Sequence, residues 1–228
     1  MRQDHRQTSW DVSEGEAKAI QLRLAPFIVC DDDWRNMSLL GGVSIRPIDR
    51  CMVRVNVSVL DLASMQHLDS SMETAAAPLS YIPGLRAFQA GPAIIAAFGK
   101  LSVQPHMILW DGHGIAHPMR CGLASHMGLV LDIPSIGVTE ELLYGECRLQ
   151  KLARERGSLT PILDPEGQTE IGAAVRTRRD VRPVFVSVGH RVSLKSAVRI
   201  VLESTPRYRI PEPLRQARMN NRAAKWGG

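Results

Sequence analysis

The run Met107-Ile108-Leu109-Trp110 is apolar at every position, and Asp111-Gly112-His113-Gly114 follows it without a break. A strand with apolar side chains on both faces must be covered on both faces, which is the pattern of a parallel strand inside an α/β sheet. The acid then falls at the carboxyl end of that strand, where open α/β sheets place ligands and catalytic groups. Glycines on either side of His113 allow the backbone to come close to a bound molecule. Such an acid suits a divalent metal held through oxygen. An acid that merely opens a turn satisfies the same residues.

The flanking pattern extends the fold assignment. Helical spacing covers Glu14 to Phe27, with Ala17, Ile20, Leu24 and Phe27 on one face. Leu39 to Ile45 reads as a strand. From Cys51 to Leu62, Val53, Val55, Val57 and Val59 alternate with Arg54, Asn56 and Ser58, the mark of a half-buried antiparallel strand. Met65 to Glu73 is a third strand, and Ala75 to Gly84 reads as a loop. Pro92 to Leu101 reads as a helix with Pro92 in its first turn. Ser125 to Leu131 reads as a short helix, Ser135 to Val138 and Val184 to Val188 as buried strands, and Asp164 to Gly167 as a turn between two strands. Ser193 caps a helix to about Glu203. From Pro206 onward the chain is basic and is expected to fray. The expected architecture is α/β, with three antiparallel strands followed by parallel strands, in a mixed sheet flanked by helices. The expected organisation is a polar lead over 1–12, one domain over 13–213 and a basic tail over 214–228.

With 228 residues the chain is long enough for a real core. Its formal charge of +5 favours a polyanionic partner, although a solvated basic surface has the same composition. Cys30, Cys51, Cys121 and Cys147 form no C-x-x-C pair, which argues against structural zinc, and nothing in their spacing demands disulfides. A cytoplasmic location is therefore expected, without a membrane partner. A monomer is expected as well. The acidic run Asp31-Asp32-Asp33 reads as a loop or cap rather than a metal site.

Five strings narrow the reading: Tyr81-Ile82-Pro83-Gly84, Asp111 to Pro118, Gly122 to Gly128, Ile133 to Val138 and Gly189 to Ser193. In this order and spacing the chain resembles the endonuclease V (deoxyinosine 3′ endonuclease) family. The resemblance implies a ribonuclease H-like fold and magnesium-dependent (or manganese-dependent) cleavage of a phosphodiester near inosine, in DNA or RNA. It implies a substrate-binding wedge at Tyr81, Ile82, Pro83 and Gly84, which fills the stack vacated by an extruded base. Gly112, Gly114 and Gly122 would leave room for that base, or serve tight packing. His117 and His190 match histidines bordering the family's catalytic site, beside Asp111; each also suits a structural hydrogen bond.

Three positions depart from the family pattern. Val43 stands where a metal-holding acid is expected, Ala90 where a second acid is expected, and Glu140 where a catalytic lysine is expected. One carboxylate among waters is a poor magnesium site, and Glu140 would repel a phosphate. Glu140 could instead join Asp111 as a replacement metal ligand. The readings left open are an altered nuclease, a nucleic-acid-binding pseudoenzyme, and a pocket repurposed for a nucleoside-like small molecule.

Overall fold

The computed structural model of the chain describes residues 8–223. Nine strands form one sheet: β1 (Leu39–Pro47), β2 (Met52–Asp61), β3 (His67–Ala76), β4 (Met107–Trp110), β5 (Ser135–Thr139), β6 (Glu146–Cys147), β7 (Leu159–Leu163), β8 (Glu170–Val175) and β9 (Val184–His190). Their order across the sheet is β3-β2-β1-β4-β5-β9-β8-β7-β6. The parallel run consists of β1, β4 and β5, while β9 returns antiparallel to β5. The helices are α1 (Glu14–Leu24), α2 (Arg86–Gly99), α3 (Leu123–Leu131), α4 (Leu194–Glu203) and α5 (Glu212–Ala223). The mixed, helix-flanked sheet is the architecture read from the sequence.

β4 shows why an unbroken apolar run was needed. Ile108 and Trp110 enter a core layer with Ile94 of α2 and Met127 of α3. Met107 and Leu109 enter the opposite layer with Ile200 of α4 and Leu214 of α5. Strand alternation then turns Asp111 toward the α5 side. α1 starts as its sequence suggests: Ser13 and Glu16 close a capping box.

Several sequence expectations need correction. Arg54, Asn56 and Ser58 were assigned a solvent face on β2, yet all three are buried. The cover is α5, from which the Asn220 side-chain amide donates to Ser58 Oγ at 3.2 Å. The Asn221 amide donates to the Ser44 carbonyl at 2.8 Å. The chain beyond Pro206 therefore does not simply fray: Leu214, Ala217 and Asn221 form a buried stripe at helical spacing. β3 runs on to Ala76, because Ala75 and Ala76 pair with Val53 and Met52. α2 starts at Arg86, so Pro92 lies inside the helix rather than in its first turn. Part of the polar lead also packs, with the Trp10 ring stacked on His126 at 5.5 Å. Residues 1–7 of that lead and 224–228 of the tail lie outside the described residues.

α5 reaches the sheet because β1 has no side chain in its path at Gly42. A Cβ there would lie 2.2 Å from the Pro213 carbonyl carbon. Gly42→Ala should therefore destabilise the fold by about 1–3 kcal/mol through overpacking. A thermal melt should show the midpoint lowered by several degrees; an unchanged midpoint would mean that α5 is not seated on β1.

A candidate nucleic-acid cleft beside Asp111

A cavity of about 420 Å³ opens at the carboxyl end of β4, bounded by Tyr81, Pro83, Arg86, Asp111, His113 and Leu123 among others. Its rim is the loop before α2. Gly84 there has φ +87°, and its carbonyl accepts hydrogen bonds from Gln21 Nε2 at 2.9 Å and from His117 Nε2 at 2.9 Å. Ile82 packs with Leu85 and Phe88 beneath the loop, while Tyr81 stays 58% exposed at the mouth. The loop is thus anchored from below and presents its ring outward.

His117, expected at the border of the site, does line the cavity, and its geometry there is that of a tether. Nε2–H goes to Gly84, and Nδ1 accepts from the Met119 amide at 3.1 Å. Burial pushes its pKa down to about 4, so the ring is neutral at pH 7 with both nitrogens engaged. His190, expected at the same border, lines neither cavity beside Asp111. β9 runs antiparallel to β5 and pairs His190 with Ser135, at the end of the sheet opposite Asp111. His190 Nδ1 instead accepts from the Val29 amide.

Gly112 does line the cavity, as does Gly84. Gly114 and Gly122 lie tight against the backbone of other segments, the packing role that the sequence also allowed them. A Cβ on Gly114 would lie 1.9 Å from the Val188 carbonyl oxygen, so this glycine lets the motif cross β9. His113, named in the motif but not assigned a role, does face the cavity. Its Nε2 lies 3.0 Å from the Glu141 carbonyl oxygen and 3.3 Å from Thr139 Oγ1. Burial lowers its pKa, and Arg86 adds to the effect.

Burial lowers the pKa of three histidines that share one sign of pH dependence. His117 and His190 fall to about 4, and His126 to about 3, from an ordinary 6.5. Below pH 6.5 the unfolded chain takes up protons that the folded chain refuses, so stability falls with pH. The unfolding free energy from urea melts should decline between about pH 6.5 and pH 4, by up to about 1 kcal/mol per pH unit for each of the three histidines. Midpoints that stay flat over this window would refute the burial of neutral imidazoles.

The acid itself is occupied. Arg218 of α5 donates from Nη2 to Asp111 Oδ1 at 2.7 Å and from Nε to Oδ2 at 3.0 Å. Its Nη1 donates to Glu140, whose other oxygen pairs with Arg209. Glu140 does not join Asp111 in a metal cage as the sequence allowed: a guanidinium stands between the two carboxylates. Val43 pairs with Trp110 across β1 and β4, and both Val43 and Ala90 are fully buried in the apolar layer under α2. Among the described residues, no group of three or more histidines, cysteines or acids is placed to hold a metal. Magnesium needs several hard oxygen ligands in octahedral array. The residues present do not fit such an ion.

Comparison with known proteins places this geometry. The family model of endonuclease V matches residues 24–219. The chain belongs to the endonuclease V family. Endonuclease V of Gloeobacter violaceus is 42% identical over 212 residues, spanning 92% of this chain and 85% of that protein. Endonuclease V of Dictyoglomus thermophilum is 38% identical over 210 residues, covering 92% and 90%. Among solved structures, endonuclease V of Streptomyces avermitilis superposes with a TM-score of 0.87 at 37% identity, covering 94% of this chain and 93% of that one. Endonuclease V of Ciona intestinalis was solved with a DNA containing an inosine followed by a ribo-adenosine; it superposes at 0.79 with 25% identity, covering 91% and 95%. The endonuclease V fold is therefore present across nearly the whole chain.

Sequence reasoning missed Arg218 and Arg86. Arg218 was counted within a basic tail, although Leu214, Ala217 and Asn221 mark a buried stripe with Arg218 at its edge. Arg86 opens α2 and donates to the Ile45 carbonyl at 2.7 Å and the Asp111 carbonyl at 3.3 Å, with its Nε buried and unpaired. No local sequence signal marks that long-range placement.

Among the described residues, no helix is long and apolar enough to cross a membrane.

Proposed function

We propose that this chain is a nucleic-acid-binding member of the endonuclease V family, one that receives the base of an inosine nucleotide behind Tyr81–Gly84 but does not perform metal-dependent cleavage. The observation that carries this reading is the capture of both Asp111 carboxylate oxygens by Arg218. The inosine-containing DNA held by the Ciona relative supports inosine as the base, and family membership supports nucleic acid as the partner. The cavity adds a physical reason. An aromatic ring and a proline stand at its mouth, and Leu123 and Gly112 form part of its wall. Such a site can stack and enclose an extruded base.

The chain's own residues account for holding without cutting. His117 and Gln21 fix the loop that carries Tyr81. Arg218 neutralises Asp111, so that carboxylate no longer repels a strand. Glu140 supplies no positive charge to a phosphoryl oxygen. The test is fluorescence anisotropy with an inosine-containing oligonucleotide and its adenosine counterpart, in chelator. The inosine strand should bind about tenfold more tightly, the usual scale for one recognised base. Equal affinity for the two strands would overturn the reading.

A further inference from the structure

We propose that a second cavity beside Asp111 is a phosphate seat in which guanidinium groups stand in the place of a metal ion. The proposal deepens the function above: it rests on that reading for the strand, while the seat itself is built from separate residues. This cavity, about 590 Å³, is lined by Ser44, Arg46, Asn221 and Arg222, and it shares Asp111, Glu140 and Arg218 with the base cavity. A nucleotide whose base enters the first cavity therefore brings a backbone phosphate toward the second.

The charge balance favours an anion. Three guanidiniums line the seat against two carboxylates, and Arg209 adds a fourth behind Glu140. Both carboxylates are already engaged: Asp111 by Arg218, and Glu140 by Arg218 and Arg209. Arg46 and Arg222 are exposed and pair with no carboxylate among the described residues; Arg46 makes one bond, from Nη1 to the Asn221 carbonyl at 3.3 Å. Arg218 uses three of its five N–H donors on the two acids. Its remaining donors, with those of Arg46 and Arg222, are of the forked kind that matches phosphate oxygens. The ligand class is a phosphodiester of the strand, and inorganic phosphate is its simplest probe.

The experiment measures strand affinity in chelator and in millimolar magnesium, for wild type, the double variant Arg46→Ala/Arg222→Ala, and Asp111→Asn. Both arginines of the double variant are exposed, so folding should survive, and a thermal melt checks it. Wild type should bind within about twofold under the two conditions, since screening alone differs. The double variant should bind about tenfold more weakly, and its log affinity against log salt should flatten by about two, one per lost phosphate contact. Asp111→Asn removes a negative charge from the seat and should tighten binding several-fold. Inorganic phosphate should compete in wild type and fail to compete in the double variant.

The seat is overturned if chelator weakens wild-type binding tenfold or more, or if the double variant binds like wild type. It is overturned equally if Asp111→Asn abolishes binding, as a metal ligand would require. Failure of the base reading looks different. Metal-independent, arginine-dependent binding with no preference for inosine would sink the proposed function and leave the seat intact. Inosine preference that persists in a tightly binding double variant would do the reverse.

Discussion

Incubated with magnesium or manganese, an inosine-containing strand should stay intact in the presence of this protein, with any cutting at least about 10⁴-fold below that of a relative carrying the full acid set. The magnitude follows from what the cleft lacks. A single well-placed electrostatic contact to a developing charge is worth about 10²–10³ in rate. Here Val43 and Ala90 are buried apolar residues, and Glu140 brings negative charge where the resemblance implies a lysine. Asp111, the one acid in place, spends both oxygens on Arg218. A gel assay for nicked strand over an extended incubation reads this directly. Robust, metal-dependent product that disappears in Asp111→Ala would show that Arg218 yields to an ion during turnover.

Removing the ring at the cavity mouth should have the second large effect. Tyr81→Ala is expected to weaken binding of the inosine strand by about 10- to 100-fold, the worth of one base stacked on an aromatic side chain. The same change should alter thermal stability little, because Tyr81 is exposed and packs in no core cluster. Binding to the adenosine control should fall less, which narrows the preference between the two strands. The tether offers an independent check. His117→Ala frees the Gly84 carbonyl from one of its two donors and should lower inosine affinity through the loop while Tyr81 remains. Unchanged affinity in Tyr81→Ala would remove the wedge from the account.

Local periodicity made much of the fold legible, because burial and strand geometry act residue by residue. The alternating valines of β2 and the doubly apolar β4 both take the places their patterns demand. Asp111 at the end of β4 followed from the same logic. What failed depended on distant chain segments. The polar face of β2 lies buried only because α5, more than 150 residues later, lays Asn220 and Asn221 against the sheet. His190 sits within a family string, yet the antiparallel turn of β9 carries it to the wrong end of the sheet. Arg218 pairs with an acid 107 positions earlier, so neither residue's neighbourhood in the sequence announces the bond.

A guanidinium holds the strand-end acid in the place that a metal ion would take. Crystals soaked in manganese, with anomalous scattering recorded at the metal edge, test this most directly. The expected map has no peak beside Asp111, with Arg218 still donating to both carboxylate oxygens. A peak at about 2.1 Å from those oxygens, the distance of a small hard cation, with the Arg218 side chain swung away, would contradict it.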